Sequence, residues 1–152
     1  MNAVVALLKR ETELVIRFRD TLLREQDILR SGSSDGLTEV NNEKLSLVEF
    51  LNQAGTERSR TLSSGGEPTI DMQAWFSAHP QEKESAALWE GMLKIAREAR
   101  GINELNGNLI SVLHQKTSEA LAILTHSQAD QSLYSSSGQA AMSTGSRIID
   151  SA

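Results

Sequence analysis

A seven-residue apolar repeat within a segment of about 45 residues constrains the fold of this chain more than any other feature. The segment covers residues 81–126, and the members of the repeat are Leu88, Ile95, Ile102, Leu109 and Ile123, with Lys116 in the same row. The repeat passes through NELNGNLI at residues 103–110, where a turn would put Leu109 out of phase with Leu88. The pattern therefore predicts one continuous helix of roughly 65 Å, because each helical residue rises about 1.5 Å.

Two further amphipathic helices are predicted upstream, over residues 4–30 and 38–62. The first carries an apolar row at Leu8, Val15, Leu22 and Leu29; the second carries a stripe that steps by three and four, Leu37, Val40, Lys44, Leu47, Leu51, Ala54, Arg58 and Thr61. The stretches SGSSDG and SSGGEP end these helices. We expect Lys44 and Arg58 to lay their aliphatic stems along the helix contact while their charges reach water.

The stretch TIDMQAWFSAHP predicts a short helical turn between the second and third long helices, with Asp71 as its cap. The role of the segment from Gly65 to Pro80 stays open. The fold class expected is all-α: an antiparallel, coiled-coil-like bundle of three long helices, with this short extra helix and a flexible C-terminal tail. The core is predicted to depend on Leu14, Phe18, Leu22, Leu47, Leu51, Ile95, Ile102 and Leu109.

Residues after His126 change in character. They are rich in serine, glycine and alanine, with few charges and no sustained amphipathic period. Such a segment cannot by itself bury enough apolar surface to offset its ordering entropy. We therefore expect a helical bundle over residues 1–126 and a flexible, partner-binding tail over residues 127–152. The sole tyrosine, Tyr134, and the pair Ile148 and Ile149 are its candidate docking residues, because nothing local can bury them.

The sequence offers little for catalysis. It has no cysteine and three histidines, His79, His114 and His126, none of which lies in a metal-binding spacing. Carboxylates such as Glu11 and Glu13 have the spacing of solvated faces. We expect no enzyme activity, no metal and no cofactor. A net charge of −5 argues against general nucleic-acid binding, and the absence of a secretory pattern or a long apolar run favours a cytoplasmic protein without membrane insertion.

Three motifs occur in one order along the chain. They are a lysine-leucine-arginine pattern at Lys44, Leu47, Leu51 and Arg58, an asparagine-glycine segment at Asn103, Asn106, Gly107, Leu109 and Ile110, and a tyrosine and glycine-glutamine tail at Tyr134, Gly138 and Gln139. Each motif is loose by itself. Their combination, over nearly the whole chain, resembles the FlgN family of flagellar export chaperones. The loop from Gly65 to Pro80 has no confident match in that pattern.

The resemblance implies a chaperone that binds the C-terminal regions of the hook-filament junction proteins FlgK and FlgL. It would prevent their premature assembly and deliver them to the flagellar type III export apparatus, including components of the export gate. The protein-binding residues expected are Tyr134, Gly138, Gln139, Ile148, Ile149, Asn103, Asn106 and Gly107. At Asn103, Asn106 and Gly107, small and amide side chains would let another backbone approach, although a solvated helix face fits the same residues. The alternative function is a structural or adaptor protein that acts through coiled-coil association.

Overall fold

The computed structural model describes residues 2–67 and 69–126 of the chain. Within them lie four helices, α1 (Ala3–Ser31), α2 (Leu37–Leu62), α3 (Met72–Ala78) and α4 (Lys83–His126), and no strand. The long helices pack against each other, which confirms the predicted all-α class. The helix through residues 103–110 is unbroken, so the prediction of one continuous third long helix is also confirmed. The predicted tail, residues 127–152, lies outside the described residues.

Local chemistry explains where these helices begin and end. The Asn2 side chain accepts a hydrogen bond from the Val4 backbone N–H and starts α1, while Asp71 accepts from Gln73 and Ala74 and starts α3, as predicted. Between α1 and α2 the chain reverses at Gly32 and Gly36, whose φ angles of 75° and 86° lie in the left-handed region that favours glycine.

Two buried ion pairs set the antiparallel register of α1 and α2. The Lys44 Nζ lies 3.0 Å from Glu25 Oε2, and the Arg58 guanidinium binds the Glu11 carboxylate. The two glutamates are fourteen residues apart on α1, and the two cations are fourteen residues apart on α2, in opposite chain order. One antiparallel register therefore satisfies both pairs at once.

The burial of these pairs corrects two expectations. The side chains of Glu25 and Glu11 are 2% and 9% exposed, so Glu11 does not lie on a solvated face. Lys44 and Arg58 are 18% and 12% exposed, and their charges end on carboxylates rather than in water. The physical reason is that each cation meets a carboxylate on the facing helix. A single-helix pattern does not show such a partner.

Exposed polar contacts flank the same hairpin. The Glu43 carboxylate accepts a hydrogen bond from the Arg24 guanidinium, and a second, 3.2 Å long, from the Thr21 hydroxyl. The bond from Arg24 is the main cause that lowers the pKa of the Glu43 carboxyl. Because this carboxyl is solvated, the pair contributes little to folding compared with the buried pairs.

The first part of α4 completes a three-helix arrangement within the first 103 residues. Asn2 Nδ2 donates a 2.6 Å hydrogen bond to Glu82 just before α4, and further along Arg19 Nη1 lies 3.5 Å from Glu98 Oε2. This part of α4 thus runs parallel to α1. The Arg58 Cζ lies 4.7 Å from the centroid of the Trp89 ring, which ties α2 to α4 through a cation–π contact.

The core follows heptad rows, although not in every case the predicted ones. On α1 the predicted row is buried, namely Leu8, Val15, Leu22 and Leu29. On α4 the buried row is Ser85, Met92, Ala99 and Asn106, while the predicted members Leu88, Ile95, Ile102 and Leu109 are half-buried and Ile123 is 72% exposed. Three of the four buried α4 side chains are small or polar. Because the prediction relied on hydrophobicity, it assigned the neighbouring, more apolar row to the core.

The eight residues predicted to carry the core divide in the same way. Leu22 and Leu47 are 0% and 1% exposed, as predicted. The other six are only half-buried, which corrects their assignment to the centre of the core: Leu14, Phe18, Leu51, Ile95, Ile102 and Leu109. Heptad patterns place apolar side chains on flanks as well as on the central line, because an apolar stripe on a globular helix is broader than a strict coiled-coil seam.

The chain divides into two compact units, Met1–Asn103 and one that begins at Glu104. The predicted division at residues 126 and 127 stays a prediction. None of the described helices has the length and hydropathy that a membrane crossing requires.

Leu47→Ala tests the core assignment. Its side chain is almost fully buried, so we expect a loss of about 2–5 kcal/mol in the free energy of unfolding, because the truncation leaves a cavity. Urea denaturation measures this change. Leu45→Ala, two residues away and 68% exposed, is the matched control and should change stability by less than about 0.5 kcal/mol. Equal losses in the two variants would contradict the assignment. The half-buried Ile102 should lose less than Leu47.

Lys44→Met tests the buried pair with Glu25. It leaves a buried carboxylate without its ammonium partner, and we expect a loss of about 3–5 kcal/mol. The double variant Glu25→Met/Lys44→Met removes both charges and should recover most of that loss, again measured by urea denaturation. Arg10→Met serves as control, because its pair with Glu57 is 3.6 Å long and well exposed. A double variant as unstable as Lys44→Met would show that the desolvated charge is not the cause.

Candidate functional site

Exposed apolar side chains are concentrated on the part of α4 that lies in the second unit. Within the described residues, nine large hydrophobic side chains are exposed, and five of them lie between residues 105 and 124. These five are Leu105 (54% exposed), Val112 (48%), Leu121 (52%), Ile123 (72%) and Leu124 (64%), and we call them the α4 apolar surface. Single exposed apolar residues are ordinary, but a concentration on one helix segment is typical of an interaction site.

Helical geometry arranges these residues in two stripes. Leu105, Val112 and Ile123 are separated by seven and eleven residues, which are close to two and three full turns, so they share one side of the helix. Leu121 and Leu124 are three residues apart and share another side. The last turns of α4 are therefore apolar on more than one side. A helix with this pattern is normally covered by another element, which favours a partner for this segment.

The polar residues of the segment add little charge to the surface. Between residues 105 and 125 the only charged side chains at neutral pH are Lys116 and Glu119. Gln115 donates a 3.3 Å hydrogen bond to Glu119, and the Thr117 and Thr125 hydroxyls donate to backbone carbonyls one turn earlier. These hydroxyls are satisfied within the helix. Recognition on this surface would therefore depend on apolar contact rather than on ion pairs.

The predicted asparagine-glycine segment has a mixed environment. Asn106 is 1% exposed, whereas Asn103 and Gly107 are half-buried. A Cβ added at Gly107 would meet no described atom within 4 Å, so no close approach inside the described chain requires glycine there. The protein-binding role of these three residues stays a prediction.

The remaining predicted site residues lie outside the described residues. They are Tyr134, Gly138, Gln139, Ile148 and Ile149. Conversely, the sequence analysis did not single out the α4 apolar surface, and it placed Ile123 in the core row. Helix length was the available signal, because α4 has 44 residues, against 29 in α1 and 26 in α2.

The segment of open role, between Gly65 and Pro80, contains a small aromatic cluster on α3. The Trp75 ring stacks on His79 with centroids 4.1 Å apart and meets the Phe76 ring edge-on at 5.2 Å. His79 Nδ1 also lies 2.8 Å from the Trp75 carbonyl oxygen. These contacts are all internal to the turn and fix its shape. They give the segment a structural role and assign it no ligand.

Metal binding finds no support among residues 2–67 and 69–126. No group of three or more histidine, aspartate or glutamate side chains lies there in an arrangement that could hold a metal ion. The two buried carboxylates of the first unit, Glu11 and Glu25, are each paired with a cation. The described structure does leave the α4 apolar surface exposed.

A comparison with known proteins finds a match to one family model. The model of one protein family, described as FlgN protein, matches residues 1–142. No curated protein matches the chain, and no solved structure does. The match includes α1 to α4 and extends past the described residues.

Proposed function

The chain belongs to the FlgN family, a family of flagellar export chaperones, and we propose that its clients are the hook-filament junction proteins FlgK and FlgL. It binds their C-terminal regions in the cytoplasm and prevents their premature assembly. It then delivers them to the flagellar type III export apparatus, where export gate components are further partners. No chemical step is needed for this work, only capture and release.

The observation that carries the proposal is the α4 apolar surface. Its residues Val112, Leu121, Ile123 and Leu124 leave about half or more of their side chains in water. An amphipathic helix of a client can cover such a surface with side chains at helical spacing. Client helices that would otherwise assemble with one another through their apolar faces would be shielded by contact with the α4 apolar surface.

The proposal also accounts for the low charge of the surface. Apolar contact is not directional and tolerates related clients, so FlgK and FlgL could use the same residues. Release must follow capture, which favours a contact of moderate size rather than an obligate interface.

The tail enters the proposal as a second contact. We propose that Tyr134, Ile148 and Ile149 bind the client or the export gate, with Gly138 and Gln139 in the same segment. Tyrosine suits docking because its ring buries a large area while its hydroxyl can still find a hydrogen-bond partner. Asn103, Asn106 and Gly107 would contribute on α4 itself.

Ile123→Ser/Leu124→Ser tests the client site. We expect binding of a purified C-terminal fragment of FlgK to weaken by about tenfold or more, because truncating central apolar contacts typically costs over 1 kcal/mol. Isothermal titration calorimetry measures the affinity. Leu45→Ser/Phe50→Ser is the matched control, since both residues are exposed on α2 at 68% and 50%. The proposed site is wrong if the α2 control weakens binding as much, or if the α4 variant binds normally.

Truncation after Gln131 tests the tail. The melting temperature should stay nearly unchanged, because the segment is too polar to support the bundle, while capture of FlgK and FlgL or their export should fall. Circular dichroism on heating and an export assay in flagellated cells measure the two effects. A much lower melting temperature would make the tail part of the core. Unaltered binding and export would remove it from the proposed site.

A further inference from the structure

Four charged residues lie in the contact between α1 and α2 of the first unit. On α1 one seven-residue row reads Val4, Glu11, Phe18 and Glu25, and both of its glutamates are buried. On α2 the facing stripe holds Lys44 and Arg58 among residues such as Val40 and Leu47. The charges alternate with apolar residues on both helices, at the same two-heptad spacing.

This spacing makes the α1–α2 contact sensitive to register. A slip of one heptad in either direction would put Leu51 opposite Glu11 or Glu25, and Phe18 opposite Lys44 or Arg58. Both α1–α2 ion pairs would then be broken and their buried groups would face apolar side chains, which is costly because the charges have lost their water. Only the observed register pairs all four charges.

The same charges restrict which helix can lie on α1. A second copy of α1 would bring glutamates to a contact that already holds glutamates, whether the two helices ran parallel or antiparallel. An apolar amphipathic helix would remove from both carboxylates the cations that α2 supplies. A helix with cations fourteen residues apart, as on α2, satisfies both. One buried polar contact in a coiled coil is known to specify register and partner in this way.

We propose that Glu11, Glu25, Lys44 and Arg58 are specificity-determining residues that make α2 the only helix accepted on α1, in one register. They exclude a second copy of α1, and they exclude the apolar helix of a client. The exclusion of client helices rests on the proposed function, whereas the choice of register and the exclusion of a second copy do not. The two ion pairs thus keep α1 covered by α2, while the α4 apolar surface stays exposed to a partner.

The test replaces all four charges in the full chain: Glu11→Leu, Glu25→Leu, Lys44→Leu and Arg58→Leu. Register is read by engineered disulfides, since the natural chain has no cysteine. The pair Val15→Cys/Ala54→Cys lies four residues inside Glu11 and Arg58 and reports the observed register. The pair Val15→Cys/Thr61→Cys reports a slip of one heptad. No client is present, so a failure of this test is distinct from a failure of client binding.

We expect the native charges to allow only the first disulfide and the all-leucine variant to allow both. The all-leucine variant should also gain mass with concentration in light scattering, relative to the native chain. A matched variant exchanges the charges, with Glu11→Arg/Arg58→Glu and Glu25→Lys/Lys44→Glu, and should keep the observed register alone. If the all-leucine variant forms the first disulfide alone and its mass is unchanged, the proposal is overturned.

A second measurement keeps the test decisive if the all-leucine variant loses its helical circular dichroism. Glu25→Leu/Lys44→Leu removes one pair and leaves the other. With only one pair left to oppose a slip, the off-register disulfide should then form to a detectable extent. Its absence in this variant would overturn the proposal too.

Discussion

The contact of Arg58 with two other helices is the interaction on which the first unit depends. Its guanidinium binds the Glu11 carboxylate on α1 and lies over the Trp89 ring on α4. A planar guanidinium can serve both, because its edge donates hydrogen bonds while its face stacks on an aromatic ring. Arg58 therefore connects all three long helices at one end of the hairpin. Lys44 and Glu25 repeat the ionic part of this contact four turns away.

The buried ion pairs of the first unit matter more for which helices pack together than for stability. Buried ion pairs seldom add more stability than apolar residues of the same size, since the charges must first lose their water. They do distinguish one arrangement from another. The long helices of this chain are all amphipathic. The ion pairs therefore distinguish the α1–α2 contact, which must not bind a partner, from the α4 apolar surface, which must bind one. The five residues of the α4 apolar surface are all apolar and exposed, so this surface suits partners that present an apolar face.

Much of the fold follows from residues within each helix. Periodicity and caps predicted α1, α2 and α4 to within about two residues, as expected for helix boundaries, and they predicted the unbroken passage through Asn103 and Gly107. The buried row of α1 was also correct. On α4 the buried row is the one next to the predicted row, because Ser85, Ala99 and Asn106 are buried without being apolar. Burial of small and polar side chains depends on neighbours that periodicity cannot see.

The sequence by itself determined the helices, because their formation and their stripes depend on residues three and four positions apart in the same chain segment. Its motifs also pointed to the family. Only the tertiary structure decided that Lys44 and Arg58 end on Glu25 and Glu11, since the sequence placed the two cations on an apolar stripe but did not show their partners on the facing helix. It likewise decided that Ile123 is exposed rather than in the core. The reason is the same in both cases: whether a side chain on an apolar stripe is covered, and by what, depends on the helix that faces it, and that helix is distant in the sequence.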